Sequence, residues 1–224
     1  MNNLNHVAFI MDGNGRWGLK KNRSRNYGHL AGVKTIEKIV EASILLKVPI
    51  ITFYVFSSEN WKRPKSEINY LFNLISIYFK KEINNIIKNK IRINIFGRLK
   101  NLPLKIKKIL QDSVKKTKKN NKLIVNLAIN YGSKNEIIDA VKKIKSYSEK
   151  ISEEKINKNL YFNLPFPDIL VRTGGQKRLS NFMLWQLAYA EIFFLDKLWP
   201  DFSKNDLSNI IKKYYKIRRN YGGI

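Results

Sequence analysis

Val7-Ala-Phe-Ile-Met-Asp-Gly-Asn-Gly-Arg-Trp-Gly18 is the stretch on which the fold turns. Val7 to Met11 is a short apolar run of buried-strand type, and Asp12-Gly13-Asn14-Gly15 then sets a carboxylate and two conformationally permissive glycines where the chain must turn. A loop of that composition directs backbone N–H groups at an anion, Arg16 adds a fixed positive charge, and Asp12 suits a hard divalent cation. Together they suggest a metal-complexed phosphate or diphosphate. Asp-Gly and Asn-Gly are also ordinary turn dipeptides. Gly13-x-Gly15-x-x-Gly18 after a strand further spells a dinucleotide-binding fingerprint, but that motif needs an acid about 20 residues on, at the end of the second strand. Here Glu37 falls inside a predicted helix and the next strand ends only near Ser57-Ser58-Glu59. Asp12 beside the first glycine would also repel a pyrophosphate unless a metal lay between them.

Outward from this stretch, 224 residues suffice for a full core, and residues 1–224 are expected to form one domain. The absence of Cys excludes disulfides and thiolate metal sites, and with only His6 and His29 for imidazole, any metal is expected on carboxylates. The first strand starts almost at the N-terminus, and no apolar run approaches the roughly 20 residues of a membrane span, so the expected location is cytoplasmic. Lys and Arg number 43 against 17 Asp and Glu, a net charge of +26 that raises nucleic acid as a partner. The lysines are spread through predicted helices, as in Lys105-Ile106-Lys107-Lys108, rather than gathered in a stripe, which argues against nucleic acid. Solvated helix faces and attraction to anionic membranes or substrates account for them equally well.

The spacing predicts a helix over Gly28–Leu46, stopped by Lys47-Val48-Pro49, and a second strand over Ile50–Phe56. A polar loop, Ser57 to Pro64, leads to a long helix from Ser66 to about Lys90 whose stripe Ile68, Leu71, Phe72, Ile75, Tyr78, Phe79, Ile83 and Ile86 serves as core, as a wall for an apolar ligand, or as both. Strands follow at Ile91–Phe96, Leu123–Ile129, Asp168–Val171 and Glu191–Leu195. Helices are predicted from Pro103, Ser133, Ser152 and Ser203. This alternation predicts an α/β domain around a mainly parallel six-stranded sheet flanked by helices. In such sheets ligands sit beyond the carboxyl ends of strands. Asp12 to Arg16, Ser57 to Arg63 and Arg172 to Gly175 each follow a strand directly and are expected at one rim. That rim gathers Arg16, Arg25, Arg63, Arg172 and Arg178, and guanidinium forks suit phosphate oxygens. Asp12 and Glu191 are the candidate metal ligands, and His29 is either a phosphate contact or structural.

Taken in order, His6-Val-Ala-Phe-Ile-Met-Asp-Gly-Asn-Gly-Arg-Trp17, Gly28-His29-x-Ala-Gly32, Phe56-Ser-Ser-Glu-Asn-Trp-x-Arg-Pro64, Asp168-x-Leu-x-Arg-Thr-Gly-Gly175 and Arg178-x-Ser-Asn-Phe182 resemble the cis-prenyltransferases over almost the whole chain. The resemblance implies Mg²⁺-dependent, sequential condensation of isopentenyl diphosphate onto an allylic diphosphate, usually farnesyl diphosphate, with cis double bonds, giving a long polyprenyl diphosphate. It implies a homodimer, peripheral contact with a membrane surface for product release, and an apolar tunnel for the growing chain. By position, it assigns Gly13, Asn14, Gly15, Arg16, Arg25 and Arg63, with His29 and Trp17 nearby, to the allylic diphosphate. Arg172, Arg178, Leu179 and Ser180 fall to isopentenyl diphosphate, and Asp12 and Glu191 to the metal. Ser57, Ser58, Glu59, Asn60 and Trp61 surround the reacting carbons, with Asp12 and Asn60 catalytic. This chain departs from the family with Gln176-Lys177 where Glu-His is usual, and with Asn220-Tyr221-Gly222 where Arg-x-Gly is usual. A non-catalytic partner subunit is the alternative function.

Overall fold

Strand β1 (His6–Ile10) is buried along its whole length, and it stands between β2 (Ile50–Ser57) and β5 (Ile169–Arg172) in a six-stranded parallel sheet. A computed structural model describes residues 3–147 and 150–219. With β3 (Ile91–Phe96), β4 (Leu123–Tyr131) and β6 (Glu191–Phe194) the sheet order is β3-β4-β2-β1-β5-β6. Parallel strands covered on both faces read as nearly unbroken apolar runs, which is why the inner strands stood out, and all six expected strands are present. Each fully buried Val, Ile or Phe of β1 contributes roughly 1.5–3 kcal/mol by leaving water.

One face carries the main core. Helices α2 (Arg25–Leu45), α3 (Lys65–Lys88), α4 (Leu104–Thr117) and α7 (Lys204–Lys216) cover Phe9, Phe53, Val125 and Ile169, and the Phe9 and Phe53 rings stack at 5.2 Å. The other face packs Ala8, Ile10 and Leu170 against Phe182, Met183 and Leu187. Helices α5 (Ser133–Ser146) and α6 (Glu153–Asn159) form a smaller cluster around Ile144 and Ile156. A row of polar side chains crosses the sheet. Asn94 Nδ2 donates to Asn126 Oδ1 at 3.1 Å, Asn126 Nδ2 to Thr52 Oγ1 at 3.0 Å, and Thr52 meets His6 Nε2 at 2.6 Å. His6 Nδ1 lies 2.7 Å from the Pro165 carbonyl, which can only accept, so Nδ1 bears the proton and Nε2 accepts from Thr52.

One expectation is corrected. The chain after β1 is not a free loop: it winds at once into α1 (Asn14–Lys20), and α2 begins at Arg25 behind a Ser24 cap rather than at Gly28. Two glycines make this local geometry available. Gly13 holds φ +106°, and a Cβ on Gly28 would stand 1.8 Å from the Asn14 carbonyl oxygen, so α1 lies directly on α2 only because that Cβ is missing. Trp17 locks the outer side, donating its indole N–H to Asp201 at 2.7 Å and stacking on Tyr27.

Candidate active site

The connections from β1 run to β2 on one side, while β5 and β6 lie on the other, so a crevice opens at the carboxyl ends of β1 and β5. There an open cavity of about 340 Å³ is lined by Asp12, Gly13, Asn14, Gly15 and Arg16 after β1, and by Ser57, Asn60 and Arg63 after β2. Arg172, Arg178 and Ser180 line it after β5, and Arg25 and His29 from α2. The three loops expected at one rim do converge. Ile10, Met11, Tyr54, Val55 and Leu71 add an apolar floor, of which only Leu71 was expected to face an apolar ligand.

Asp12 sits between two guanidinium groups. Arg172 Nη2 donates to its Oδ2 at 3.0 Å and Arg16 Nη2 to its Oδ1 at 3.2 Å, while Arg16 also reaches the Gly174 carbonyl at 2.8 Å. Arg172, only 3% exposed, further donates to Ser180 Oγ at 2.8 Å and to the Arg178 carbonyl. A buried guanidinium so held is a fixed positive charge with little freedom to reorient. Arg178 is steadied by Gln176, whose Oε1 accepts from Nη1 at 2.6 Å. The first helical bond of α1 runs from Trp17 N to Gly13 O, which leaves the amides of Asn14, Gly15 and Arg16 outside the helical ladder at the cavity wall.

On the other side, Glu67 gathers three cationic or imidazole groups. Arg25 donates through Nε at 3.2 Å and Nη2 at 3.3 Å, Arg63 Nη1 at 3.1 Å, and His29 Nε2 lies 3.1 Å away. Burial pushes the Glu67 carboxyl upward, but its hydrogen bonds from Arg25 and His29 and the nearby arginine charges outweigh that and hold it below the usual range. His29 is pushed below its ordinary value by burial, against the opposing pull of Glu67. Glu67 was legible only as an acid near a helix start, and nothing in its local sequence marked it as the anchor of this cluster.

Asn60 closes a reciprocal cap. Its Oδ1 accepts the Ser57 N–H at 3.1 Å while the Ser57 side chain receives the Asn60 amide, so the most basic atom of Asn60 is already engaged. The remaining expectations fall outside the cavity lining. Trp17 is turned to Asp201; Trp61 donates to Asn130 Oδ1 at 2.8 Å and packs on Phe56 and Phe72; Leu179 joins the second core. Ser58 and Glu59 open the 58–62 turn, where Glu59 accepts from Ser58 Oγ at 3.1 Å. Glu191 lies apart from Asp12 within this chain. It opens β6 opposite Ile169, at the amino end of the sheet, and pairs with Arg219 at 3.7 Å, whereas Asp12 follows the carboxyl end of β1. Among the described residues no three His, Asp or Glu side chains form a metal-binding group. Arg219 is also 3.4 Å from Asp168, and Asn220-Tyr221-Gly222 lie outside the described residues.

Below the cavity, sharing Met11, Asn14, His29, Val55 and Leu71 with it, lies an apolar pocket of about 120 Å³ between α2 and α3. Val33 and Ile36 face Leu74, Ile75, Tyr78 and Phe79 across it. Tyr78 also borders a further pocket of about 510 Å³ lined by Val40, Ile44, Leu45, Glu37, Glu41 and Glu82. The α3 stripe is thus divided: Ile68, Phe72 and Ile86 are core, while Leu71, Ile75 and Tyr78 are half-buried pocket wall. No helix among the described residues is long and apolar enough to cross a membrane.

Residues 10–222 match the family model of the undecaprenyl diphosphate synthases. An isoprenyl transferase from Rickettsia bellii is 46% identical over 224 residues, covering 99% of each chain. One from Fusobacterium nucleatum is 44% identical over 220 residues, 98% of this chain and 96% of its own. The crystal structure of a probable undecaprenyl diphosphate synthase from Campylobacter jejuni superposes with a TM-score of 0.86 at 36% identity, covering 99% of this chain and 100% of that one. Lavandulyl diphosphate synthase from Lavandula x intermedia, solved with dimethylallyl diphosphate, gives 0.93 at 28% identity over 97% and 98%.

Proposed function

Because this chain belongs to the undecaprenyl diphosphate synthase family of prenyltransferases, we propose that its rim cavity holds two diphosphates side by side and joins their hydrocarbon parts. The enzyme is an isoprenyl transferase that elongates prenyl diphosphates with cis double bonds. Farnesyl diphosphate is the proposed primer, its diphosphate on Gly13, Asn14, Gly15, Arg16, Arg25 and Arg63 beside His29. Isopentenyl diphosphate sits on Arg172, Arg178 and Ser180. The observation that supports this assignment is that Arg25 and Arg63, gathered by Glu67, and Arg172, held by Asp12, line one cavity, with Arg16, also paired with Asp12, lining it too.

In each cycle the allylic C–O bond breaks, a C–C bond forms to the terminal carbon of isopentenyl diphosphate, its C2 loses a proton, and diphosphate leaves. Negative charge grows on the leaving oxygens, so arginines fixed in advance stabilise the transition state more than the ground state. Asn60 orients the substrates. Its amide oxygen is occupied by the Ser57 N–H, which supports the departing diphosphate, not Asn60, as the proton acceptor. Asp12 fits a Mg²⁺ site of the kind that uses one protein carboxylate and substrate phosphates for the rest. When bound there, Mg²⁺ would neutralise diphosphate charge. Glu191 is not proposed as a second ligand within this chain.

The growing chain is proposed to descend into the pocket between α2 and α3 and past Tyr78 toward Ile44, giving a product of undecaprenyl class. A homodimer is supported by the place of β6 as a terminal strand of the sheet, with Ile192 exposed there. Peripheral membrane contact is supported by the basic charge and by exposed Tyr27 and Leu30 near the mouth. The test is incubation of the purified protein with farnesyl diphosphate, labelled isopentenyl diphosphate and Mg²⁺, followed by sizing of the extracted lipid. Chain growth that stops on chelation is expected; none at any Mg²⁺ level would refute the proposal.

A further inference from the structure

We infer that Asn181 is a positioning residue that ties the isopentenyl diphosphate loop to the turn carrying Asn60, so that the two substrates are held in one geometry. It follows directly after Ser180 and is absent from the cavity lining. All of its hydrogen-bonding groups named below point away from substrate and toward other loops. Its side-chain Nδ2 donates to Glu59 Oε1 at 2.8 Å, its Oδ1 accepts the Lys134 N–H at 2.9 Å, and its carbonyl accepts the Ser133 N–H at 2.8 Å. Thus one residue joins the 172–187 segment, the start of α5 and the 57–62 turn. The three meet tightly: a Cβ on Gly132 would stand 2.5 Å from Ser58 Oγ and 2.6 Å from Asn181 Nδ2.

The backbone around Asn181 shows that this contact is imposed. Ser180, Asn181 and Met183 have φ of +49°, +61° and +45°, a left-handed run that non-glycine residues adopt at a cost. Asn tolerates it best, and the bonds to α5 and Glu59 hold the run in place. The same turn aims Ser180 Oγ at Arg172 and its carbonyl at the Tyr54 hydroxyl, 3.3 Å away. Glu59 is held as a carboxylate: burial pushes it upward, and the bonds from Asn181, Ser58 and its own turn outweigh that. Glu59 is adjacent to Asn60, so a shift of Asn181 moves both substrate-bearing segments.

The assignment rests on Arg172, Arg178 and Ser180 holding isopentenyl diphosphate, and the test separates the two. Asn181→Asp keeps the acceptor for Lys134 N but sets a carboxylate against Glu59. Two carboxylates at that distance repel each other when both are ionised, and as pH falls one proton held between them restores a hydrogen bond. The other ionisable groups beside the pair are Tyr54, Lys134 and Arg172. The expected result is a drop in kcat/KM for isopentenyl diphosphate of about 10-fold or more at pH 8.5 that shrinks to about 3-fold at pH 6, relative to wild type. Adding Glu59→Gln reverses donor and acceptor, and the double variant should recover most of the loss at both pH values. A double variant no better than Asn181→Asp, or a deficit independent of pH, would overturn the inference. If the reciprocal rescue appears but the KM change falls on farnesyl diphosphate alone, the coupling stands and the subsite assignment fails. Unchanged thermal midpoints for the variants exclude general unfolding as the cause.

Discussion

Replacing Asp12 by Asn separates its two jobs, neutralising Arg172 and serving the reaction. The carboxylate lies 3.0 Å from Arg172 and 3.2 Å from Arg16, and its side chain is 29% exposed. Asn retains an acceptor for Arg172, so the cost to stability is about 1–2 kcal/mol rather than the larger penalty of stranding a buried guanidinium. Removing the negative charge also changes binding. A unit charge about 5 Å from a phosphate oxygen interacts by about 1 kcal/mol at a water-like dielectric and about 3 kcal/mol at an effective dielectric of 20. Without Mg²⁺, isopentenyl diphosphate should therefore bind the variant about 5- to 150-fold more tightly than wild type, measured by calorimetry in EDTA. With Mg²⁺ the kcat should fall by about 100-fold or more, because the group proposed to hold the metal is gone. Tighter ground-state binding with slower turnover is the signature. A folded Asp12→Asn enzyme with near-normal kcat at saturating Mg²⁺ would show that Asp12 only anchors the two arginines.

Three further outcomes are expected. Replacing Gln176 with Glu and Lys177 with His should change kcat or KM by less than about 10-fold in steady-state assays, because Gln176 already supports Arg178 and Glu would do the same with added charge; a far larger gain would mean that the native pair impairs the enzyme. His6 should make the protein acid-labile: burial lowers its pKa from 6.5 to about 4, so the unfolded chain takes up a proton that the folded one refuses. Its contribution is complete above pH 6.5 and is lost as pH falls toward 4, by roughly 3 kcal/mol in total; denaturant midpoints in a His6→Gln variant that kept the same slope would contradict this. Tyr78→Ala should shift the product distribution to longer chains on reversed-phase thin layers, since Tyr78 borders both the apolar pocket and the one beyond it, and unchanged lengths would place the stop elsewhere.

The strands were legible because burial on both faces leaves runs such as Ile50 to Phe56 with hardly a polar residue, and the helices because proline, serine and lysine punctuate them. The rim followed from the parallel topology alone. Helix α1 was not legible, since Gly15 and Gly18 within seven residues argue against a helix in any local count. It forms because α2 packs where a side chain at Gly28 would collide. The orientations of Trp17, Trp61 and Leu179 were equally hidden. A residue beside a loop motif shares its sequence neighbourhood, but its side chain points wherever packing sends it. Glu191 was different. It opens a strand in a parallel sheet, and the opening end lies opposite the rim, so its separation from Asp12 follows from the strand direction alone.

The polar row from Asn94 to His6 bears on how the sheet finds its alignment. Apolar runs rich in Ile and Val pack almost as well when a strand slides along its neighbour, and a slip of one residue exchanges the sides of every side chain. In β3, β4 and β2, Asn94, Asn126 and Thr52 are direct neighbours across the sheet. Sliding any one strand would leave an amide or hydroxyl without a partner in a dry interior, at a cost of about 1–3 kcal/mol for each group. The row therefore singles out one alignment of β3, β4, β2 and β1 among near-equals, and that alignment is the one in which Asp12 and Ser57 both emerge at the carboxyl rim.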